Sequence, residues 1–203
     1  MNAVIRIPLQ TTQEQALRLH YLQQGFAQLC NALAPLVQST RIWSRVALHH
    51  LAYRQLREQF PSMGSQMVCN AIYSVSRTCR MVFQHPCSPF HLNKLGEGQL
   101  PLLRFSDTCP VYFDRHTLSL KEGVLSMFTL DGRMRFQLSL DSEVERRLQT
   151  QKLREVVLSR EADGVFVLSF VLIDSVAVAA IEGSMELPEP GGLPDYVMVD
   201  EVV

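Results

Sequence analysis

The period of the hydrophobic pattern changes twice along this chain, and that constrains the fold more than any other feature. Ala3 to Leu9 alternates apolar and polar residues and is rich in Val and Ile, which predicts a strand. From residue 12 to residue 84 the apolar residues recur at helical spacing. From residue 102 to residue 173 short strand-like runs return. A chain that starts a strand, leaves for helices and comes back to strands predicts an α+β fold. The expectation is a small antiparallel, OB-like β-barrel with a three-helix bundle inserted after the first strand. Residues 1–10 and 100–183 would form the barrel, 11–99 the helical insertion and 184–203 an acidic tail rich in Pro and Gly.

Within the insertion, Thr12-Gln13-Glu14-Gln15 fits a capping box. Leu19, Leu22, Phe26, Leu29, Leu33 and Leu36 follow as one apolar stripe, and Pro35 marks the expected end of that helix. A second helix is predicted from about Thr40 to Gln59, with the stripe Ile42, Val46, His49, Tyr53 and Leu56. A third is predicted from Ser65 to Gln84, with Val68, Ile72, Val75, Cys79 and Val82. His85 to Gln99 reads as a loop. Beyond it, Asp131-Gly132 is the sequence of a type I′ hairpin turn, and Asp163-Gly164 marks another hairpin. Asp141 to Gln149 predicts a short helix. In the strand after Asp131-Gly132, Met134, Phe136, Leu138 and Leu140 face one way, and Arg133, Arg135, Gln137 and Ser139 the other.

The 203 residues are 47% hydrophobic, enough for one domain with a core or two packed subdomains. No run of eighteen apolar residues and no signal-peptide pattern occurs, which points to a cytoplasmic protein with no membrane partner. The five cysteines are odd in number and include no Cys-x-x-Cys pair, so neither a disulfide framework nor a zinc site is expected. Cys30, Cys69 and Cys79 fall in helical patterns as buried thiols. No cofactor is expected. Adjacent histidines on a helix point about 100° apart, so His49-His50 do not form a metal pair, and His49 reads as a core residue. His85, Cys87 and His91 share a loop without the orienting group a nucleophile needs.

Net charge is −1, which alone argues against an electrostatic nucleic-acid binder. The distribution argues the other way. Residues 175–203 hold six acids and no Lys or Arg, leaving 19 basic residues against 14 acids before them, a net of +5. Sixteen of the basic residues are Arg, which forks onto phosphate and stacks on bases. Arg41, Arg45, Arg54, Arg57, Arg77 and Arg80 lie on the helical insertion with few acids beside them, a set suited to tracking a phosphate backbone. Trp43, off the apolar stripe, is a better candidate than Tyr53 for stacking on a base. On the β part, Arg133 and Arg135 share a strand face, and Arg146, Arg147, Lys152 and Arg154 cluster in sequence. Any one of these charges, taken alone, is a solvated surface group.

Four segments carry a resemblance to a known family. They are "IRIPLQTTQEQ" (Ile5 to Gln15), "FPSMGSQMVCNAI" (Phe60 to Ile72), "HTLSLKEGVLSMFTLDGRMRFQL" (His116 to Leu138) and "LREVVLSREADGVFVLSFVL" (Leu153 to Leu172). In order and spacing, over about residues 3 to 174, they resemble the N-terminal half of the transposon-encoded TnpB (OrfB) proteins and the type V CRISPR effectors. The resemblance implies a barrel called the wedge domain and a helical recognition domain. Together these hold a guide RNA, touch DNA beside the target and cradle the guide–target duplex. Cleavage in that family belongs to a following RuvC-type nuclease domain. Tyr196-Val-Met-Val-Asp200-Glu201 is similar to the first strand of that nuclease, but Glu201 stands where the family soon has Gly. Two carboxylates do not make a two-metal site, so no catalytic centre is expected. The expectation is a non-catalytic protein that binds a guide-like RNA and target DNA. The alternative is a subunit that docks on a larger effector or on a nuclease supplied in trans, with the apolar Val176 to Ile181 as its contact.

Overall fold

The computed structural model describes residues 2–173 and 193–200. In chain order it runs β1 (Asn2–Pro8), α1 (Gln13–Thr40), α2 (Arg45–Gln59), α3 (Ser65–Phe83), α4 (Leu92–Leu95), β2 (Leu102–Phe105) and β3 (Val111–Phe113). There follow β4 (Leu118–Lys121), β5 (Val124–Thr129), β6 (Gly132–Gln137), α5 (Ser142–Thr150), β7 (Lys152–Arg160), β8 (Phe166–Ile173) and β9 (Val197–Asp200). The fold is mixed α+β, and every strand pairing is antiparallel. The strands form three sheets, ordered β1-β8-β7-β3, β4-β5-β6 and β2-β9; their pairings close no barrel among the described residues. No described helix is long and apolar enough to cross a membrane. The Val176 to Ile181 segment lies outside the described residues.

Packing divides the chain into two units, Met1–Leu22 with Pro110–Met185, and Gln23–Cys109 with Glu186–Val203. The division runs through α1 and places β2 with the helices, whereas the sequence pattern put the boundaries near residues 10 and 100. Part of the stretch read as a tail is a strand: β9 pairs with β2, with Arg104 opposite Met198.

In the first unit, β1 pairs with β8 at the far end of the chain, Ile5 opposite Phe170. Alternation sends Val156, Leu158, Leu168, Phe170 and Leu172 into the core. The capping box forms in full. The Gln15 amide donates to Thr12 Oγ1 (3.2 Å), and the Thr12 amide donates to Gln15 Oε1 (3.0 Å). Asp141 caps α5, its carboxylate accepting from the Val144 amide at 2.8 Å.

In the second unit, α3 is the central element: thirteen of its nineteen residues are buried. Two expectations are corrected here. Helix α1 does not end at Pro35 but runs to Thr40. Leu33, Ala34 and Val37 are buried around the proline, and their packing offsets the roughly 3 kcal/mol that an interior proline costs. Helix α2 starts at Arg45, not Thr40, because Arg41 adopts a left-handed φ of 56° and breaks the run. Ile42 therefore falls outside α2, and the buried face is Leu48, Ala52 and Leu56, while Val46 is 66% exposed.

Candidate nucleic-acid interface

The three-stranded sheet has an apolar side and a basic side. Leu118, Leu125, Met127, Met134 and Phe136 are buried on one side. Opposed residues of an antiparallel pair point the same way, so the register fixes the other side. Lys121 stands opposite Val124, and Val124 opposite Gln137; Ser119 stands opposite Ser126, and Ser126 opposite Arg135; Phe128 stands opposite Arg133. The outward positions of these strands thus carry the partly buried Phe128 beside Arg133 at one end, then Arg135, then Lys121, with no acid among them.

Arg133 is held in place. It donates from Nε to Ser126 Oγ and from Nη2 to the Ser126 carbonyl, both at 2.9 Å, and from Nη1 to the His116 carbonyl at 3.4 Å. Arg135 is exposed and makes no ion pair among the described residues. Acids occur only in the two turns. Glu122 is exposed in the β4–β5 turn. Asp131, in the β5–β6 turn, is bonded by Arg18 Nε at 2.9 Å, and the Thr129 hydroxyl donates to it at 2.8 Å. Thr129 first and Arg18 next hold the Asp131 carboxyl below the usual carboxylate range.

Sequence reading found Arg133 and Arg135 but missed Phe128 and Lys121. The alternation already put Phe128 on the side of Ser126. Only the pairing register shows that this is also the side of Arg133.

The other candidates of the first unit are less available or more scattered. Arg146 forms a two-pronged pair with Glu143, at 2.9 and 2.7 Å, which holds the Glu143 carboxyl below its usual range. Arg147 sits half-buried on the same helix. Lys152 is exposed and Arg154 half-buried on β7, and neither makes an ion pair among the described residues.

The helical candidates are mostly bound to their own unit. Arg41 donates to the carbonyls of Gly96 (2.8 Å) and Gly98 (2.5 Å). Arg57 donates to the Met63 carbonyl. Arg80 donates to Ser76 Oγ at 3.0 Å, and Arg77 to the Tyr73 hydroxyl at 3.4 Å. Arg45 lies over the Tyr73 ring at 5.6 Å. Arg54 is exposed and reaches Glu58 one turn on, at 3.3 Å. Trp43 packs against the buried Phe83, ring centroids 5.6 Å apart, and Tyr53 stacks on His49 at 4.6 Å. The structure therefore brings these residues together as local latches, not as one exposed track.

The remaining motifs take structural roles. His85 Nδ1 accepts from the Cys87 amide and His91 Nδ1 from the Asn93 amide. Cys30, Cys79 and Cys109 are buried, Cys69 is half-buried and Cys87 exposed, none of them in a disulfide. Asp200 pairs with Arg104 across β2 and β9. Among the described residues, no three His, Cys, Asp or Glu side chains converge as metal ligands would. A groove of about 280 Å³ opens along β4, floored by Leu118, Leu148, Leu153 and Phe170 and lined also by Lys121. No protein-family model matches this chain, and no curated protein matches it either.

Proposed function

We propose that this chain binds nucleic acid without cutting it, in the manner of the guide-RNA- and target-DNA-holding half of a TnpB-type RNA-guided nuclease. The observation that carries this reading is the outward side of β4-β5-β6, where Arg133 stands opposite Phe128, Arg135 and Lys121 follow on the next two rows, and no acid intervenes. Cations neutralise phosphates and an aromatic ring stacks bases, so both parts of a nucleic-acid contact are present on one face. The return of β8 to pair with β1, after the helices, supports a wedge-like, OB-related barrel with a helical bundle inserted after its first strand. A cytoplasmic location goes with this reading.

Recovery of nucleic acid with the purified chain tests it. The expected result is a raised 260/280 nm absorbance ratio, removed by ribonuclease and by high salt. A protein-like ratio, together with no retarded band for any RNA or DNA at low ionic strength, refutes it.

A second reading is a subunit that docks on a larger effector or on a nuclease supplied in trans. It is favoured by the free edge of β4, which pairs only with β5 among the described residues and borders the leucine-floored groove. An extended segment of a partner can add to such an edge. Native mass spectrometry of complexes pulled down from the native host separates the two readings, since this one requires a stoichiometric protein partner.

A further inference from the structure

We infer that the outward side of β4-β5-β6 takes a single-stranded segment of RNA or DNA, with an unpaired base stacked on Phe128 beside Arg133. This rests on the nucleic-acid-binding reading and sharpens it to one ligand class and one surface. The base is the part of the ligand that a duplex hides and a single strand exposes.

The geometry favours an unpaired base for three reasons. Phe128 is only partly buried, in the middle strand of the sheet, so its exposed part is reached from above and not from an edge. Its cross-strand neighbour Arg133 has its guanidinium committed to Ser126 and to the His116 carbonyl. That orientation is fixed before any ligand arrives, so little rotamer freedom is lost when a base packs beside it. Three of its five N–H donors are used, leaving two for a base edge or a phosphate. The flanking charges complete the arrangement. Arg135 and then Lys121, on the two successive rows beyond Phe128 and Arg133, are placed to take successive phosphates of the strand as it leaves the stacked base on one side. A duplex laid on this face offers its phosphates but not its base planes, so it gains the charge contacts alone.

The experiment is fluorescence anisotropy of the full chain with labelled single-stranded RNA and DNA of about twelve nucleotides, and with the corresponding duplexes. Single strands are expected to bind about ten-fold or more tightly than duplexes of the same length, as aromatic stacking on one base allows. Phe128→Leu, which keeps an apolar side chain, is expected to remove most of that preference while leaving the weaker duplex binding unchanged, and Phe128→Trp to restore it. Arg133→Lys keeps the charge and loses the planar group, and is expected to weaken single-strand binding selectively. Circular dichroism of each variant confirms that the fold is kept. Equal binding of both forms, or a preference that survives Phe128→Leu, overturns this inference while leaving the nucleic-acid reading standing. Binding of neither form overturns both.

Discussion

Phe128 and Arg133 stand directly opposite each other across β5 and β6, and Arg133 reaches diagonally to Ser126, the residue opposite Arg135. The two arginines of β6 are thereby unlike. Both are exposed, but Arg133 is anchored by hydrogen bonds to its neighbours, whereas Arg135 makes no ion pair among the described residues. A mutational series on this face should separate them. In the proposed contact Arg133 would act through orientation and Arg135 through charge.

Arg41 illustrates the opposite case. Its left-handed backbone and its two bonds to the carbonyls of Gly96 and Gly98 mark it as a latch on the loop before β2. Arg41→Ala should destabilise the chain by about 1–2 kcal/mol in urea denaturation, through loss of charge-assisted hydrogen bonds at an exposed site, and leave nucleic-acid affinity unchanged. An affinity loss at constant stability would return Arg41 to the interface.

Asp131 supplies a pH signature. Its folded carboxyl lies below the usual range through Thr129 and then Arg18. The unfolded chain therefore holds this proton more tightly, so the stabilising contribution is present above the unfolded value of about 4 and disappears as the pH falls through the folded value. The stability difference between the wild-type chain and Asp131→Asn should be largest near neutral pH and shrink below about pH 4. A difference that is constant with pH would show that the Arg18–Asp131 link does not depend on the carboxylate charge.

The two-residue turn between β4 and β5 is built on left-handed backbone. Glu122 and Gly123 have φ of 50° and 74°, and a Cβ added at Gly123 would stand 3.2 Å from the Leu138 carbonyl oxygen. Gly123→Ala should cost about 1–2 kcal/mol by thermal or chemical denaturation, whereas Glu122→Gly should be neutral or slightly stabilising. Equal effects at both positions would contradict the assignment of this turn.

Much of the local structure was legible in the sequence because it depends on nearest neighbours. The Thr12–Gln15 capping box, the short helix after Asp141 and the β7–β8 hairpin all form where their residue types predict. The type I′ turn was misplaced. Thr129 pairs with Gly132, so the loop there is Leu130-Asp131, and the two left-handed residues in a row are Glu122-Gly123. Glu122-Gly123 lacks the Asn-Gly or Asp-Gly sequence that signals this turn, and periodicity does not reveal that a glutamate there is left-handed. The stripe of α2 was misread because the face a helix buries is set by what it packs against, here α3, and Leu48, Ala52 and Leu56 fit the i, i+4 spacing as well as the predicted stripe does. The candidate site was half legible. Alternation placed Arg133 and Arg135 on one side, but bringing Lys121 and Phe128 to that side needs the register of three strands. The helical arginines looked available because their acceptors are backbone carbonyls and side chains that a count of acids does not detect.

The salt dependence of binding tests the central claim most directly. For a labelled single-stranded RNA, the logarithm of the affinity should fall linearly with the logarithm of salt concentration. Removing the two cations of the face other than Arg133, in Lys121→Ala/Arg135→Ala, should reduce that slope by about 1.4, some 0.7 for each phosphate no longer neutralised. A wild-type affinity independent of salt, or a slope unchanged in the double variant, would contradict the account.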